Sequence, residues 1–465
     1  MSLPGLPDTH AGGRLWSSEE LTSLASGWRE IVDEIVGTQP CAVAVSGSAE
    51  GLALLAAGSA RRPPLVVLGD AVSGQAKALP QGMHVMVPPS LAHLADAWRV
   101  EGLRPIVLPA DATSTAALMP LQTDGFVIFT SGSTGVPKPA FRPTSHIVAG
   151  ATARASALGL GPGAGLAGGV SFGAGQGVVH AVTAMVLRGR LRILSRVDYR
   201  EALSAVEDAH VACWRVSAQF ADVLGRVPLS RVPRVPPVCL LSSAVGDAVC
   251  ARFESRFGVP LRGVYSSTET GAIAVEAAPA ADVVRGTVGR PLPGVQVSIG
   301  DAPTDDSGVS DVPARVWVRS PWQMAGYGLP PSAVRPGDVD GWWPTRDLAT
   351  RAADGRLRLH GRLDDCIRTR EGRLVNLEAV AERIRTVDGV SAVVVVPLPA
   401  EVGVSFGAVV EHSRDRADDL REQMGHVLDE WARPRILRIV DALPRLANGK
   451  PDRLACLALL GGAPT

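Results

Sequence analysis

The sequence predicts an α/β fold: a large amino-terminal domain of parallel-rich sheets flanked by helices, a small β subdomain, and a small α+β domain at the carboxyl end. Short apolar runs alternate with helical stretches over residues 40–120 and again over 190–257, which is typical of parallel sheets covered by helices on both faces. Residues 286–360 are instead turn-rich and β-favouring. A chain of 465 residues is also too long for one compact core, so at least two domains are expected.

The elements of the large domain are predicted from its apolar runs. Buried strands are expected at CAVAVSG, PPLVVLGD, HVMVPP and RPIVLPA, with LAHLADAWRV as a helix between the last two. The same order returns later in the chain. There RLRILS precedes a helix at about 199–209, HVACWRVS precedes one at about 218–224, and PPVCLLSSA leads into the helix GDAVCARFESRF.

The two smaller units have their own patterns. RGTVGRPLPGVQVSI, ARVWVRS and GRLRLHGR favour strands, and Asp354-Gly355 is a hairpin signal. Further on, a helix is expected at about 377–385, followed by the strands VSAVVVVPL and GVSFGAVVE, a helix at about 417–432 and the strand RILRIV.

The composition changes at GRLDD, residues 361–365, and this segment is the predicted boundary. We therefore expect a large domain at 1–362, with its β-rich subdomain at 286–360, and a small domain at 363–465.

Composition excludes several classes of function. The 46 basic and 46 acidic side chains balance, which argues against a nucleic acid or an anionic membrane as partner. The six cysteines are scattered without metal-ligand spacing, which favours reduced thiols in a cytoplasmic protein. Ala155–Leu187 contains no Asp, Glu, Lys or Arg, but its nine glycines and one proline disfavour a membrane span. We expect it to line a buried apolar pocket instead.

A loop rich in hydrogen-bond donors follows the apolar strand GFVIF. It contains four hydroxyls, two glycines and a lysine, which suits the binding of phosphates; its members are Thr130, Ser131, Gly132, Ser133, Thr134, Gly135, Val136, Pro137 and Lys138. It differs from the P-loop of kinases because Pro137 precedes the lysine. On its own the loop is equally compatible with a solvated Ser/Gly turn.

Five segments in order resemble the adenylate-forming superfamily of acyl-CoA synthetases, peptide-synthetase adenylation domains and luciferases. They are the loop TSGSTGVPK (130–138), VYSSTE (264–269), GWWPTRD (341–347), the hinge and helix segment GRLDDCIRTREGRLVNLEAVAE (361–382), and PRLANGKPDR (444–453). The resemblance is strong from Thr130 onward and weak before it. It implies an AMP-forming acid–thiol ligase that uses ATP and Mg²⁺.

The resemblance also implies roles for individual residues. The loop residues Thr130 to Gly135 and Lys138 would hold the β- and γ-phosphates of ATP. Thr268 would contact the α-phosphate, and Glu269 would help to hold Mg²⁺. The adenosine would be bound by Tyr265 stacked on adenine, with Ser266 beside it, Ser243 and Ala244 on the opposite face, and Asp347 and Arg362 on the ribose hydroxyls.

Lys450, Thr268 and Glu269 form the catalytic set that the resemblance implies. In the family, the lysine of the last segment bridges the acid's carboxylate and the nucleotide. Asp364 matches the hinge about which a mobile small domain turns after adenylation, withdrawing the lysine and admitting the thiol of CoA or of a phosphopantetheinyl carrier protein. The chain departs from the family pattern at Pro139, Ser266, Arg346, Arg368 and Asn376.

The acid is expected near GGVSFGAGQGVVHAV, residues 168–182. Amino-acid-activating relatives place an aspartate after the phenylalanine of this segment, but here Gly173 follows Phe172. A buried ammonium without a counter-charge is costly, so an α-amino acid is disfavoured and an aromatic or medium-length apolar acid is expected. Gly173, Gly175 and Gly177 either open a slot for that acid or permit close backbone packing.

Two rival functions remain open on the sequence. One is a stand-alone adenylation enzyme that serves a separate acyl carrier protein. The other is a non-catalytic nucleotide-binding homologue. The presence of Glu269, Asp347, Arg362 and Lys450 argues against the second.

Overall fold

The computed structural model describes most of the chain, in segments separated by short gaps. The described residues are 6–69, 75–130, 137–169, 171–194, 198–241, 247–305, 308–330, 332–335, 337–368, 374–398, 405–412, 417–444 and 451–461. Their helices are α1 (Ser18–Val36), α2 (Ala49–Ser59), α3 (Ala95–Val100), α4 (Thr144–Ala157), α5 (Gly175–Leu187), α6 (Tyr199–Val206), α7 (Ala218–Arg226), α8 (Asp247–Phe257), α9 (Leu377–Ile384), α10 (Ala417–Val427) and α11 (Arg453–Leu459).

The strands cover both halves of the chain. They are β1 (Thr9–Ala11), β2 (Arg14–Trp16), β3 (Cys41–Ala44), β4 (Leu65–Leu68), β5 (His84–Val87), β6 (Arg104–Val107), β7 (Gly125–Phe129), β8 (Pro139–Pro143), β9 (Gly165–Gly168), β10 (Leu191–Ile193), β11 (Val211–Val216), β12 (Val238–Leu241), β13 (Leu261–Ser267), β14 (Gly271–Val275), β15 (Arg290–Pro291), β16 (Gln296–Ile299), β17 (Ser310–Arg319), β18 (Gly326–Tyr327), β19 (Trp343–Arg351), β20 (Leu357–Arg362), β21 (Cys366–Arg368), β22 (Leu374–Asn376), β23 (Val390–Pro397), β24 (Phe406–His412) and β25 (Ile436–Val440).

Two large sheets, each with a parallel centre, confirm the predicted α/β class. One has the order β18-β8-β7-β4-β3-β5-β6, with β7 to β6 parallel. The other has the order β15-β14-β13-β12-β11-β9-β10-β1-β2, in which the strands from β13 to β1 are parallel. The apolar runs predicted as buried strands form β3, β4, β5, β11 and β12. The run RPIVLPA forms β6, but the prediction that it is buried is wrong, because β6 lies at the edge of its sheet and leaves Arg104 and Val107 exposed.

Helices α1, α2, α4 and α5 pack in a core shared by the two sheets. Alternate residues of each strand face opposite sides of a sheet. Phe126 and Ile128 of β7 accordingly lie in the shared core, whereas Val127 and Phe129 pack on the outer side. In the other sheet Cys213 of β11 faces the shared core. Val211, Trp214 and Val216 of the same strand pack against α6, α7 and α8.

The predicted β subdomain is a four-stranded antiparallel sheet in the order β16-β17-β19-β20. Asp354-Gly355 forms the turn between its last two strands, and Gly355 has the positive φ, 85°, that this turn requires. Two strands from the predicted range belong elsewhere: β15 pairs with β14 and β18 pairs with β8. The subdomain is therefore tied by backbone hydrogen bonds to both large sheets.

The carboxyl-terminal residues form an α+β unit with its own apolar clusters. Its central sheet has the order β23-β24-β25, and α9, α10 and α11 pack on it. The helix expected at about 417–432 ends at Val427 and is followed by a short 3-10 turn, Glu430–Ala432. Asn376 caps α9 by accepting hydrogen bonds from the amides of Glu378 and Ala379, which explains an asparagine at this position.

The uncharged stretch Ala155–Leu187 folds as the end of α4, the strand β9 and the helix α5. Within the described residues, no helix combines the length and the apolar character that crossing a membrane requires.

Candidate active site

Tyr265, Asp347 and Arg362 meet where β13 approaches the β19–β20 hairpin. The Tyr265 hydroxyl donates a hydrogen bond to Asp347 Oδ2 at 2.7 Å. Asp347 lies opposite Arg362 in the hairpin, and Arg362 Nη1 is 3.5 Å from Asp347 Oδ1. Thr345 orders the backbone at Asp347, because its hydroxyl accepts a hydrogen bond from the Asp347 amide at 3.2 Å. Tyr265, Asp347 and Arg362, which come from different segments of the sequence, therefore form one polar cluster.

The Asp347 carboxylate is the hydrogen-bond acceptor of this cluster. Burial, followed by the nearby Asp347 carboxylate, raises the pKa of Tyr265 well above its ordinary value, so the phenol keeps its proton. Asp347 is 17% exposed and Arg362 is 45% exposed, so both reach solvent while Tyr265 is buried. An ionised carboxylate has about four acceptor sites, so one at a solvent-facing edge can accept hydrogen bonds from ribose hydroxyls.

Glu269 lies in a second cluster, a few residues beyond Tyr265 in the chain. Tyr327 of β18 donates its hydroxyl proton to Glu269 Oε1 at 2.7 Å. Burial, and after it the Glu269 carboxylate, raises the pKa of Tyr327 far above its ordinary value. Lys138 Nζ lies 5.6 Å from the centre of the Tyr327 ring, within the range of a cation–π contact. A carboxylate, a phenol and an ammonium group are thus brought together.

The base of the Ser/Gly loop joins this second cluster. The amide of Thr130 donates to the carbonyl of Lys138 at 3.0 Å, and the Lys138 amide donates to the Thr130 hydroxyl at 3.3 Å. Lys138 is followed directly by β8, whose Pro139 pairs with Phe129. The two ends of the loop are therefore clamped beside Tyr327 and Glu269.

A buried arginine supports the segment that carries Thr268. Arg142 of β8 is 3% exposed and donates to the carbonyls of Thr268, at 3.2 Å, and Trp322, at 3.0 Å. Burial lowers the pKa of Arg142 to about 10, and the Glu269 carboxylate opposes that shift. Arg142 therefore remains a cation at neutral pH. It holds this segment through the backbone carbonyl of Thr268.

The glycines before and within α5 have different surroundings. A Cβ on Gly173 would lie 2.2 Å from the Gly69 Cα, and one on Gly177 would lie 1.9 Å from the Ser171 carbonyl oxygen. Close backbone packing therefore accounts for these two, and not a slot for a ligand. Phe172 is fully buried in the shared core. Gly175 is the exception: a Cβ there would meet the Thr268 hydroxyl at an ordinary 3.4 Å.

Several predicted site residues lie outside the described residues. They are Ser131, Gly132, Ser133, Thr134, Gly135, Ser243, Ala244 and Lys450. Ser266 lies beside Tyr265 on β13, and Asp364 falls in the 3-10 turn Leu363–Asp365 that follows Arg362.

Tyr327 and Arg142 belong to none of the motifs that predicted the site. Arg142 had a signal in the sequence, because it is the only charged residue between Lys138 and Arg154. It lies in the short strand β8. An isolated arginine in such a strand indicates a buried cation that needs partners. Tyr327 had no comparable signal, since its contact with Glu269 depends on the pairing of β18 with β8.

Comparisons with known proteins bear on the family and the fold of the chain. The family described as AMP-binding enzyme matches residues 90–328, more than half of the chain. The fatty acid–acyl-carrier-protein ligase MmaC of Mycobacterium marinum is 28% identical over 252 residues, or 49% of this chain and 47% of that protein. The 3-hydroxybenzoate–CoA ligase of an Aromatoleum species is 29% identical over 182 residues, or 38% of this chain and 35% of that protein. The chain thus matches about half or less of the length of these curated relatives.

The fold as a whole is shared with solved structures. ATP-bound MatB from Rhodopseudomonas palustris superimposes with a TM-score of 0.79 at 21% identity, covering 98% of this chain and 96% of that one. This likeness shows the same arrangement of a large amino-terminal domain and a small carboxyl-terminal domain. With the family match across residues 90–328, it establishes that the chain belongs to the AMP-binding enzymes of the adenylate-forming superfamily.

Proposed function

We propose that this protein activates a carboxylic acid with ATP and transfers the acyl group to a thiol. In the first step a carboxylate oxygen attacks the α-phosphorus, which forms acyl-AMP and releases pyrophosphate. In the second step a thiolate attacks the acyl carbon, which forms the thioester and releases AMP. One observation carries the proposal: β13 and the residues that follow it join the two clusters. Tyr265 of β13 is bonded to Asp347 in the first cluster, and Glu269, just beyond the strand, is bonded to Tyr327 in the second.

The adenosine end of the nucleotide is proposed to lie on the first cluster. Asp347 would accept from the ribose hydroxyls, while Arg362 and Tyr265 hold its carboxylate in place. Tyr265, Ser266, Ser243 and Ala244 are proposed to contact adenine. Positioning both reactants in this way lowers the entropic part of the barrier.

The phosphate end is proposed to lie on the second cluster. Lys138 and the loop Thr130–Gly135 would hold the β- and γ-phosphates, and Thr268 would face the α-phosphate. The donor set also fits Mg²⁺, which is commonly bound by one or two carboxylates together with substrate phosphates. Glu269 is the carboxylate in question, and Mg²⁺ bound there would neutralise charge on the phosphates. The cations and donors of this chain stabilise the charge that develops as pyrophosphate leaves.

The acid is proposed to reach the α-phosphate past Gly175, which borders the Thr268 hydroxyl. Its body is proposed to be aromatic or of medium length and largely apolar. An α-amino acid is disfavoured, because Gly173 occupies the position at which amino-acid-activating relatives carry an aspartate.

The two half-reactions are proposed to use different positions of the small domain. We place the domain boundary after residue 362 and the hinge at Asp364. Lys450 would enter for adenylation and leave before the thiol arrives. The thiol belongs to CoA or to a carrier protein, with CoA the first choice. MmaC is named as an acyl-carrier-protein ligase, and the 3-hydroxybenzoate enzyme is named as a CoA ligase.

A cytoplasmic location completes the proposal. All six cysteines are free thiols, as expected in a reducing compartment.

The test is acid-dependent exchange of pyrophosphate into ATP. Benzoates, cinnamates, fatty acids and amino acids would be supplied in turn, and the products with CoA and with a phosphopantetheinylated carrier protein would be identified by mass spectrometry. We expect exchange with a carboxylic acid that lacks an α-amino group, followed by a thioester. Exchange with no acid would contradict the proposal and favour a non-catalytic nucleotide-binding protein.

Replacing Asp347 with asparagine is expected to weaken ATP binding. The substitution removes the charge that pairs with Arg362 and that would bind the ribose. A hydrogen bond to a charged group contributes about 1.5–3 kcal/mol, so the KM for ATP should rise by about 10-fold to 100-fold with a smaller change in kcat. Tyr265→Phe keeps the ring and the carboxylate, and it should change the KM much less. An unchanged KM in a folded Asp347→Asn variant would remove Asp347 from the nucleotide site.

A further inference from the structure

Tyr327 is the side chain through which the second cluster of the site touches a strand of the first. Its hydroxyl donates to Glu269 Oε1 at 2.7 Å, and Lys138 Nζ lies 5.6 Å from the centre of its ring. The ring also packs edge to face on Trp343, with the ring centres 5.9 Å apart and the ring planes at 70°. Trp343 begins β19, the strand that carries Asp347. One phenol ring therefore contacts parts of both clusters.

The backbone around Tyr327 fixes the direction of its side chain. On one side Tyr327 pairs with Ala140 of β8, two residues beyond Lys138. On the other side the Tyr327 amide donates to the Val334 carbonyl at 2.7 Å, and the Val334 amide donates to the Tyr327 carbonyl at 2.9 Å. Because Tyr327 is paired on both sides, the phenol is held at a set position relative to the end of the Ser/Gly loop.

Glu269 is held at two points, its backbone and its carboxylate. Its carbonyl accepts a hydrogen bond from the Met324 amide at 2.6 Å, and its Oε1 accepts one from Tyr327. Within the described ranges, the Glu269 carboxylate has no other hydrogen bond and no ion pair. An ionised carboxylate has about four acceptor sites, so the bond from Tyr327 occupies one and fixes the direction in which the others point.

Lys138 and Glu269 carry opposite charges and share Tyr327 as a neighbour, yet in the described structure they form no ion pair with each other. Two charges that bound each other would be less available to phosphates and to a metal ion. A phenol between them attracts both, the ammonium through its π face and the carboxylate through its O–H group. Tyr327 therefore separates two charges that the proposed site requires unpaired.

We infer that Tyr327 is a positioning residue of the ATP site, whose hydroxyl orients Glu269 toward a bound Mg²⁺ and whose ring keeps the Lys138 ammonium apart from that carboxylate. This inference rests on the proposed function and assigns a further residue to the same site. Tyr327 acts through Glu269 and needs no contact with the reacting atoms. Loss of the hydrogen-bond partner of a metal-binding side chain typically lowers metal affinity or activity by about 10-fold to 100-fold.

Calorimetric titration with α,β-methylene-ATP, in Mg²⁺ and again in EDTA, tests the role of the hydroxyl without any turnover. The ratio of the two Kd values is the gain in affinity that Mg²⁺ provides. Tyr327→Phe keeps the ring and should lower this gain by about 10-fold or more. The Kd in EDTA should stay nearly the same, because Lys138 and the ring remain. An undiminished gain, or equal weakening in Mg²⁺ and in EDTA, would overturn the inference.

Tyr327→Leu tests the role of the ring. This variant loses the face that the Lys138 ammonium approaches, so the ammonium and the Glu269 carboxylate are free to pair. The Kd in EDTA should then rise by about 2-fold to 5-fold relative to Tyr327→Phe, which is the scale of a cation–π contact at an exposed site. Equal Kd values in EDTA for the two variants would overturn the part assigned to the ring.

A double variant tests whether Tyr327 acts through Glu269. Glu269→Gln should itself lose the Mg²⁺-dependent gain, and Tyr327→Phe should then add no further loss, because residues that act as one unit are not additive. Additive losses would overturn the inference. Tyr199→Phe is the matched control, since it removes the same hydroxyl at the start of α6, beside the outer apolar core. It should leave both Kd values unchanged.

Two further readings separate the inference from the proposed function. Tyr327 and Glu269 are only partly buried, so Tyr327→Phe should fold, and its Tm checks this. A full Mg²⁺-dependent gain in folded Tyr327→Phe would overturn the inference and leave the proposed function standing. Failure of the unaltered protein to bind the analogue in either condition would instead contradict the proposed function.

Discussion

Replacing Lys450 with alanine is expected to lower the rate of acyl-AMP formation by about 100-fold or more while sparing thioester formation from supplied acyl-AMP. The ammonium group is proposed to act only when the carboxylate meets the α-phosphate, where two anions approach each other. Removing one group that stabilises a developing charge typically costs a factor of this size. The two half-reactions would be measured separately, by pyrophosphate exchange and by conversion of synthetic acyl-AMP with the thiol.

Lys77→Ala is the control for this experiment, because Lys77 is an exposed lysine outside both clusters of the site. It should leave both half-reactions unchanged. An equal loss in both half-reactions of Lys450→Ala, with unfolding excluded by its Tm, would contradict a lysine that serves one step only.

Replacing Asp364 with proline is expected to separate the half-reactions in another way. Proline fixes φ near −65° and removes the amide donor, so rotation at the 3-10 turn Leu363–Asp365 is blocked. One half-reaction should survive within about threefold. The other should fall by about 100-fold, which is the cost of holding catalytic groups out of position.

Asp364→Ala leaves the backbone free to rotate and should retain both half-reactions. Neighbouring Asp365 is unsuitable as a control, since it forms a 2.7 Å ion pair with Arg453 of α11. If Asp364→Pro carries out both steps at the normal rate, the small domain does not pivot at this residue.

The sequence was sufficient for the class of fold, and its motifs named three residues that lie together in the structure. Alternating apolar runs predicted the parallel sheets, because buried strands need continuous apolar sequence. The motifs that carry Tyr265, Asp347 and Arg362 also predicted that these residues act together, and the structure brings them into contact.

Contacts that depend on pairing between distant strands were beyond sequence reasoning. Tyr327 reaches Glu269 only because β18 joins the sheet of β8. Gly173 gave no sign that its backbone lies against Gly69, so its small size was equally compatible with a ligand slot.

The surroundings of the uncharged stretch Ala155–Leu187 could not be predicted from the stretch itself either. Its composition describes only its own side chains. The cations that border it come from Arg154, one residue before it, and from Arg215, on a strand outside it. The character of a buried site is set by all the elements packed around it, and no single segment of sequence contains that information.

The central claim is that an oxygen of the acid attacks the α-phosphorus of ATP, and transfer of an oxygen isotope tests it most directly. An acid found active by exchange would be labelled with ¹⁸O in its carboxylate and incubated with ATP, Mg²⁺ and the thiol, and the nucleotide product would be analysed by mass spectrometry. The account predicts AMP that carries one ¹⁸O atom, because the bridging oxygen of acyl-AMP stays with phosphorus when the thiol displaces it. Label in inorganic phosphate together with ADP, or AMP without label, would contradict it.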